Sequence, residues 1–128
     1  MPSSEREREI VGRLADAFEA GDVDSVVALL TDDAWLTMPP EPYEYQGPTA
    51  IATFLEDRAG HRGTPLRLTP TSANGQPAFG CYLPSPQTDT AEAYGLLVLT
   101  LDGEQISAMT WFADSEVFRL FGLPRILR

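Results

Sequence analysis

A chain of 128 residues, 43% of them hydrophobic, is the size of one domain and can bury an ordinary core without disulfides or metals. Nine basic against nineteen acidic residues leave a formal net charge of -10, which repels phosphate backbones and anionic membrane surfaces, so no direct nucleic-acid binding and no membrane partner is expected. A single cysteine, Cys81, excludes an internal disulfide; no run approaches the ~20 apolar residues of a membrane span, and the charged start MPSSEREREI lacks the apolar centre of a signal peptide, so a cytoplasmic setting is expected.

Residues 5 to 20 place Ile10, Val11, Leu14 and Phe18 on one helical face, with Glu5, Glu7 and Glu9 near the positive end of the helix dipole. This predicts a surface helix ending near Gly21. A second, short helix is expected from Asp22, as N-cap, through Val26, Val27, Leu29 and Leu30. After Thr31 the pattern changes: AWLTM reads as a strand, PPEP as a turn and YEYQ as a return strand closed by Gly47. Pro48 suits the first turn of a third helix, with Ile51, Phe54 and Leu55 inward and a stop near Gly60.

The second half is mostly β. PLRLTPTS, PAFGCYL, AEAYGLLVLTL and QISAMTWF are four strands separated by NGQ, SPQTD and LDGE, with Asn74-Gly75 and Asp102-Gly103 as hairpin signals. DSEVFRLFGLP closes the chain as a short helix: Asp114 or Ser115 as cap, apolar Val117, Phe118, Leu120 and Phe121, and a stop from Gly122 to Pro124. No repeat or linker interrupts residues 1–128, which read as a single α+β domain with helices packed on the apolar face of an antiparallel sheet.

Few residues carry chemistry on their face. His61, the sole histidine, sits in AGHRG between Arg58 and Arg62, a Gly-flanked position that reads as solvent-exposed. With no second histidine and no matching carboxylate spacing, no metal site is expected; nor is there a glycine-rich phosphate loop or a nucleophile elbow, so no cofactor is expected. Asp32 and Asp33, before the first strand, are accounted for by solvation or capping. In the last strand Ser107, Met109 and Trp111 alternate to one face, with Ile106, Ala108, Thr110 and Phe112 opposite.

The element order resembles the SnoaL-like branch of the nuclear transport factor two-like superfamily, which also contains ketosteroid isomerase and limonene epoxide hydrolase. More closely, TMPPEPYEYQGPTAIATFL, TSANGQPAFGCYL and GLLVLTLDGEQISAMTWFADSEVFRLFGLP are similar to the C-terminal SnoaL-like domain of some actinobacterial extracytoplasmic-function sigma factors. The resemblance implies a cone-shaped, strongly curved antiparallel sheet packed on three N-terminal helices, with a short C-terminal helix. It also implies a mouth open to small apolar molecules, with aldol cyclisation, isomerisation and epoxide opening among the family's activities, and frequent homodimers. The sigma-factor regions that would precede such a domain are absent from this sequence, and Met1 with a whole first helix reads as a free-standing relative rather than an excised domain.

Two departures from the family bear on chemistry. SnoaL-type cyclases place an acidic general base on the last strand, where an ungapped alignment puts Trp111; the Asp-Arg-Asp relay of limonene epoxide hydrolase is met by Glu92 and Tyr94, two apart on one strand face but without the arginine. Epoxide opening by an internal hydroxyl needs only an acid for the epoxide oxygen and a base for the nucleophile. Tyr45 and Tyr94 are the candidate acids and Glu92 the candidate base, since a phenol stays protonated at neutral pH. Tyr43 shares a strand face with Tyr45, and the choice between them stays open, as does a packing role for both tyrosines. Trp35, Met38, Phe54, Phe79, Met109 and Trp111, with Tyr94, are the candidate wall of the substrate site. A core role accounts for each one singly, but together they exceed what a small sheet–helix interface needs. The expected function is a cofactor-free cyclase acting on a polyketide- or terpenoid-like substrate, in its preferred version by epoxide opening with ring closure; a ligand-sensing regulatory module is the alternative.

Overall fold

In the computed structural model the described residues are 2–73, 75–113 and 116–127. The elements are α1 (Pro2–Ala20), α2 (Val23–Val27), β1 (Leu30–Thr37), β2 (Glu44–Gln46), α3 (Pro48–Arg62), β3 (Arg67–Ala73), β4 (Gln76–Pro84), β5 (Ala91–Asp102), β6 (Gln105–Phe112), α4 (Val117–Leu120) and β7 (Ile126–Leu127). The expected caps Asp114 and Ser115, and Asn74 of the first hairpin signal, lie outside the described residues.

Local chemistry accounts for the helical half. Ile10, Leu14 and Ala17 are the buried stripe of α1, and the helix closes in a Schellman turn: Gly21, at φ 70°, donates to the Phe18 carbonyl and Asp22 to that of Ala17. Asp22 then caps α2, accepting from the Ser25 backbone N–H at 3.2 Å and from its hydroxyl. Pro48 opens α3, and Gly63 ends it in the left-handed region with its N–H on the Ala59 carbonyl. The helix thus runs three residues past the stop expected near Gly60, because an interior glycine only weakens a helix whereas a left-handed residue terminates it.

Leu30, expected in the second helix, instead opens β1. Its carbonyl accepts from Gln105 Nε2, and Leu29 accepts from the Ile106 N–H at 2.8 Å, so pairing with a strand 75 residues away overrides local helix preference. The sheet order is β2-β1-β6-β5-β4-β3, with β7 paired to β5 at the end that β6 leaves free. One pair departs from the expected antiparallel sheet: β1 and β6 run parallel, with β2, α3 and β3 to β5 between them along the chain.

The register shifts at three places in the sheet, one between β1 and β6 over Leu30 to Trp35 and two more where β5 meets its neighbours. Between β5 and β6, Thr100 pairs with Ala108 but Leu101 with Ile106, leaving Ser107 as the extra residue. Between β4 and β5, Cys81 pairs with Gly95 but Tyr82 with Ala93, leaving Tyr94 extra. Bulges bend a sheet and re-aim side chains, which gives this open sheet its curvature. The β5–β6 bulge also corrects the predicted faces: Ile106, expected opposite Met109, joins it in the core beneath the helices.

The inner face, Leu36, Phe79, Cys81, Leu97, Leu99 and Met109, packs against Ile10, Leu14, Val26 and Ile51 of the helices. The outer face is buried too, which strand alternation alone did not predict. Ala78, Leu96 and Val98 are covered by Val117, Phe121 and Leu123, and fully buried Phe118 meets the Tyr82 ring edge to face at 5.2 Å. The Tyr82 hydroxyl donates to the Pro124 carbonyl at 2.7 Å, and Gly80 makes room for the segment, since a Cβ there would sit 2.8 Å from Leu123 Cδ1.

Candidate functional site

Between the inner face of the sheet and the helices lies a cavity of about 320 Å³. From the helical side it is lined by Phe18 of α1, by Phe54, Leu55 and Arg58 of α3, and by Leu66 before β3. The sheet contributes Leu36 and the adjoining Met38, Cys81, Tyr94, Leu97, Met109, Trp111 and, just past β6, Ala113.

The β4–β5 bulge shapes this wall. The extra residue in β5 brings Tyr94 to the cavity side next to Gly95, and the bare Gly95 backbone lets the Trp111 indole lie against it. A Cβ on Gly95 would stand 2.8 Å from Trp111 Cε2 and closer still to the six-membered ring. Trp111 and Tyr94 then meet with ring centroids 5.7 Å apart and planes tilted by 52°. No protein group hydrogen-bonds the Tyr94 hydroxyl among the described residues, which leaves a phenolic donor available at an apolar wall.

The helical wall carries the one charge. Phe54 and Arg58 are four apart on α3, so they share a face, and the guanidinium carbon lies 5.3 Å from the Phe54 ring centroid. Among the described residues that line the cavity, Arg58 is the only charged side chain; no carboxylate and no histidine reaches it.

Five of the nine candidates from sequence come together here: Met38, Phe54, Tyr94, Met109 and Trp111. Four sit elsewhere. Tyr45 pairs with Leu36 and stacks on Phe54 at 4.6 Å, one layer away from the cavity. Phe79 is 1% exposed and packs in the core. Trp35, on the opposite face of β1 from Leu36, is 40% exposed, and Glu92 is exposed where β5 meets β7. Tyr43 lies on the surface outside β2. His61 is in the last turn of α3 rather than a loop, its Nδ1 2.8 Å from the Asp57 carbonyl oxygen.

The sequence reading passed over Arg58, Cys81, Leu66 and Ala113. The four-residue step from Phe54 was the available signal for Arg58, and the two-residue step from Phe79 put Cys81 on the inner face. Leu66 and Ala113 lie at element ends, where neither periodicity applies.

A family model described as a SnoaL-like domain matches residues 11–109. Over 124 residues, 96% of the chain, the sequence is 35% identical to the extracytoplasmic-function RNA polymerase sigma factor SigG of Mycobacterium tuberculosis, and it spans 33% of that protein, about a third of the length of the curated relatives it matches. A crystal structure from Kribbella flavida, provisionally assigned as a ketosteroid isomerase, is similar with TM-score 0.65 at 19% identity, covering 86% of this chain and 78% of the other. A provisionally assigned polyketide cyclase from Xanthomonas campestris superposes with TM-score 0.61 at 20% identity, covering 89% and 94%. At those identities the two structures speak to the fold alone.

Proposed function

This chain belongs to the SnoaL-like domain family, and from that membership we propose that it binds a small, largely apolar molecule in the cavity between α1, α3 and the inner sheet face. The observation that carries this reading is the wall itself: a concave, mostly apolar surface with one cation and one unpartnered phenol, the composition of a ligand pocket. The volume is at the lower end of the roughly 300–1,000 Å³ usual for such pockets. The 35% identity to a sigma factor supports a regulatory use of the bound state, with the ligand as the signal.

The test is native mass spectrometry of the protein from its producing cells, beside Ala113→Trp, a substitution at the exposed lip of the cavity that fills the entrance without touching the core. A bound small molecule on the wild type that Ala113→Trp lacks supports the reading. Equal occupancy of both proteins refutes it, because the molecule would then sit elsewhere.

The placement of Tyr94 favours a second, catalytic version in which the cavity closes a ring through an epoxide. The substrate's own hydroxyl forms the new C–O bond as the epoxide C–O bond breaks; the Tyr94 phenol protonates the departing alkoxide and recovers a proton from the attacking hydroxyl. The reaction is an isomerisation and needs no co-reactant. Tyr45 and Glu92, outside the lining, take no direct part in this version. Tyr94→Phe should reduce turnover of an epoxy-alcohol substrate while leaving its binding intact; undiminished turnover removes Tyr94 from the chemistry.

A further inference from the structure

We propose that the cavity selects an anion, namely a molecule of one or two rings carrying a carboxylate or similarly acidic group, with the acid held by Arg58. The inference rests on the ligand-binding reading above and adds the ligand's chemical class.

The charge distribution is the first ground. The chain is strongly acidic, at -10, and holds only nine basic side chains, every one an arginine. A protein of that charge has no general need for a cation at an apolar concavity, yet Arg58 lines this one. Its neighbours on α3 do not neutralise it. Glu56 and Asp57 are adjacent in sequence and project from other sides of the helix, Asp57 lies 3.7 Å from His61, and among the described residues no carboxylate pairs with Arg58.

Geometry is the second ground. The Arg58 guanidinium carbon lies 5.3 Å from the Phe54 ring centroid, a cation–π contact that involves no hydrogen-bond acceptor. Phe54 thus holds Arg58 at the rim while its N–H donors remain available to bind a carboxylate in bidentate fashion. An apolar body would face Trp111, Leu97 and Met109 on the sheet side, and the acid would face Arg58 on the rim.

Size is the third. A cavity of about 150 Å³ accommodates benzene; 320 Å³ is roughly twice that and suits two fused rings, with a tetracycle too large to be enclosed.

Isothermal titration calorimetry with two probes of one shape tests this: 2-naphthoate, an anion, and 2-naphthamide, its neutral counterpart. Wild type should bind naphthoate about fivefold more tightly, a factor corresponding to ~1 kcal/mol, the upper end for a solvent-accessible ion pair. Arg58→Gln, on an exposed helix position that keeps its helix propensity, should abolish the preference by weakening naphthoate alone, with far-UV circular dichroism unchanged. The preference in wild type should also shrink as salt is added. If both probes bind equally to wild type, or if Arg58→Gln keeps the preference, the anion assignment is overturned while the ligand cavity stands. If neither probe gives heat that Ala113→Trp removes, the binding reading and this proposal fall together.

Discussion

The contact between Trp111 and Gly95 offers the sharpest test of how the cavity wall is built. Gly95→Ala adds one methyl group, and that methyl would stand 2.8 Å from Trp111 Cε2, inside any tolerated carbon–carbon contact. Gly95 lacks the left-handed backbone that would itself strain alanine, so the whole penalty is the collision. Both residues are anchored, Gly95 by pairing with Cys81 and Trp111 by pairing with Leu97, so neither backbone can retreat cheaply. Overpacking of this kind costs ~1–3 kcal/mol. At roughly 2 cal/mol/K of unfolding entropy per residue, that lowers Tm by about 4–11 °C for a chain of 128 residues. The decisive comparison is a double-mutant cycle with Trp111→Leu, read by urea unfolding under circular dichroism. Without the indole, Gly95→Ala should be neutral or stabilising by up to ~1 kcal/mol, because alanine restricts the unfolded strand. A coupling of at least ~1 kcal/mol is expected between the two sites. The same loss in both backgrounds would refute the reasoning and place the cost of Gly95→Ala in the backbone.

Phe118→Ala removes the fully buried ring that seats the C-terminal segment on the outer face, and should cost ~3–5 kcal/mol in chemical denaturation; a loss under ~1 kcal/mol would mean the segment contributes little to the fold. The hydrogen bonds from the Ser25 hydroxyl and backbone N–H hold the Asp22 carboxyl below its ordinary value, so its capping contribution is present above the ordinary value and is lost as pH falls through the lowered one. Asp22→Asn should flatten that acid limb of the stability curve, and an unaltered limb would disprove the assignment. Burial, with a smaller contribution from Cys81, raises the Tyr82 phenol above 10.0, so stability is full below pH 10 and declines as pH rises toward the raised value. Tyr82→Phe should remove that alkaline decline, measured by thermal unfolding across the range, at the expense of the hydrogen bond to Pro124.

The sequence alone determined whatever depends on neighbours along the chain. The stripe of Ile10 and Leu14, the Asp22 cap, Pro48 at a helix start and Asp102-Gly103 between two strands each act within a few residues, so their physics is complete in a short window. The apolar character of the wall was legible for the same reason, since Met109 and Trp111 are two apart on one strand. Tertiary structure decided the rest. Leu30 left its helix for a parallel pairing with β6, and the bulges at Tyr94 and Ser107 arise because paired strands of unequal count must close across a curved sheet. Those same shifts carry Tyr94 onto the cavity and return Ile106 to the core, while Trp35 and Glu92, equally plausible by composition, point away from it. Arg58 acquired its meaning last: on α3 it is one more exposed arginine, and only the sheet folded opposite makes it, among the described residues, the single charge facing an apolar space.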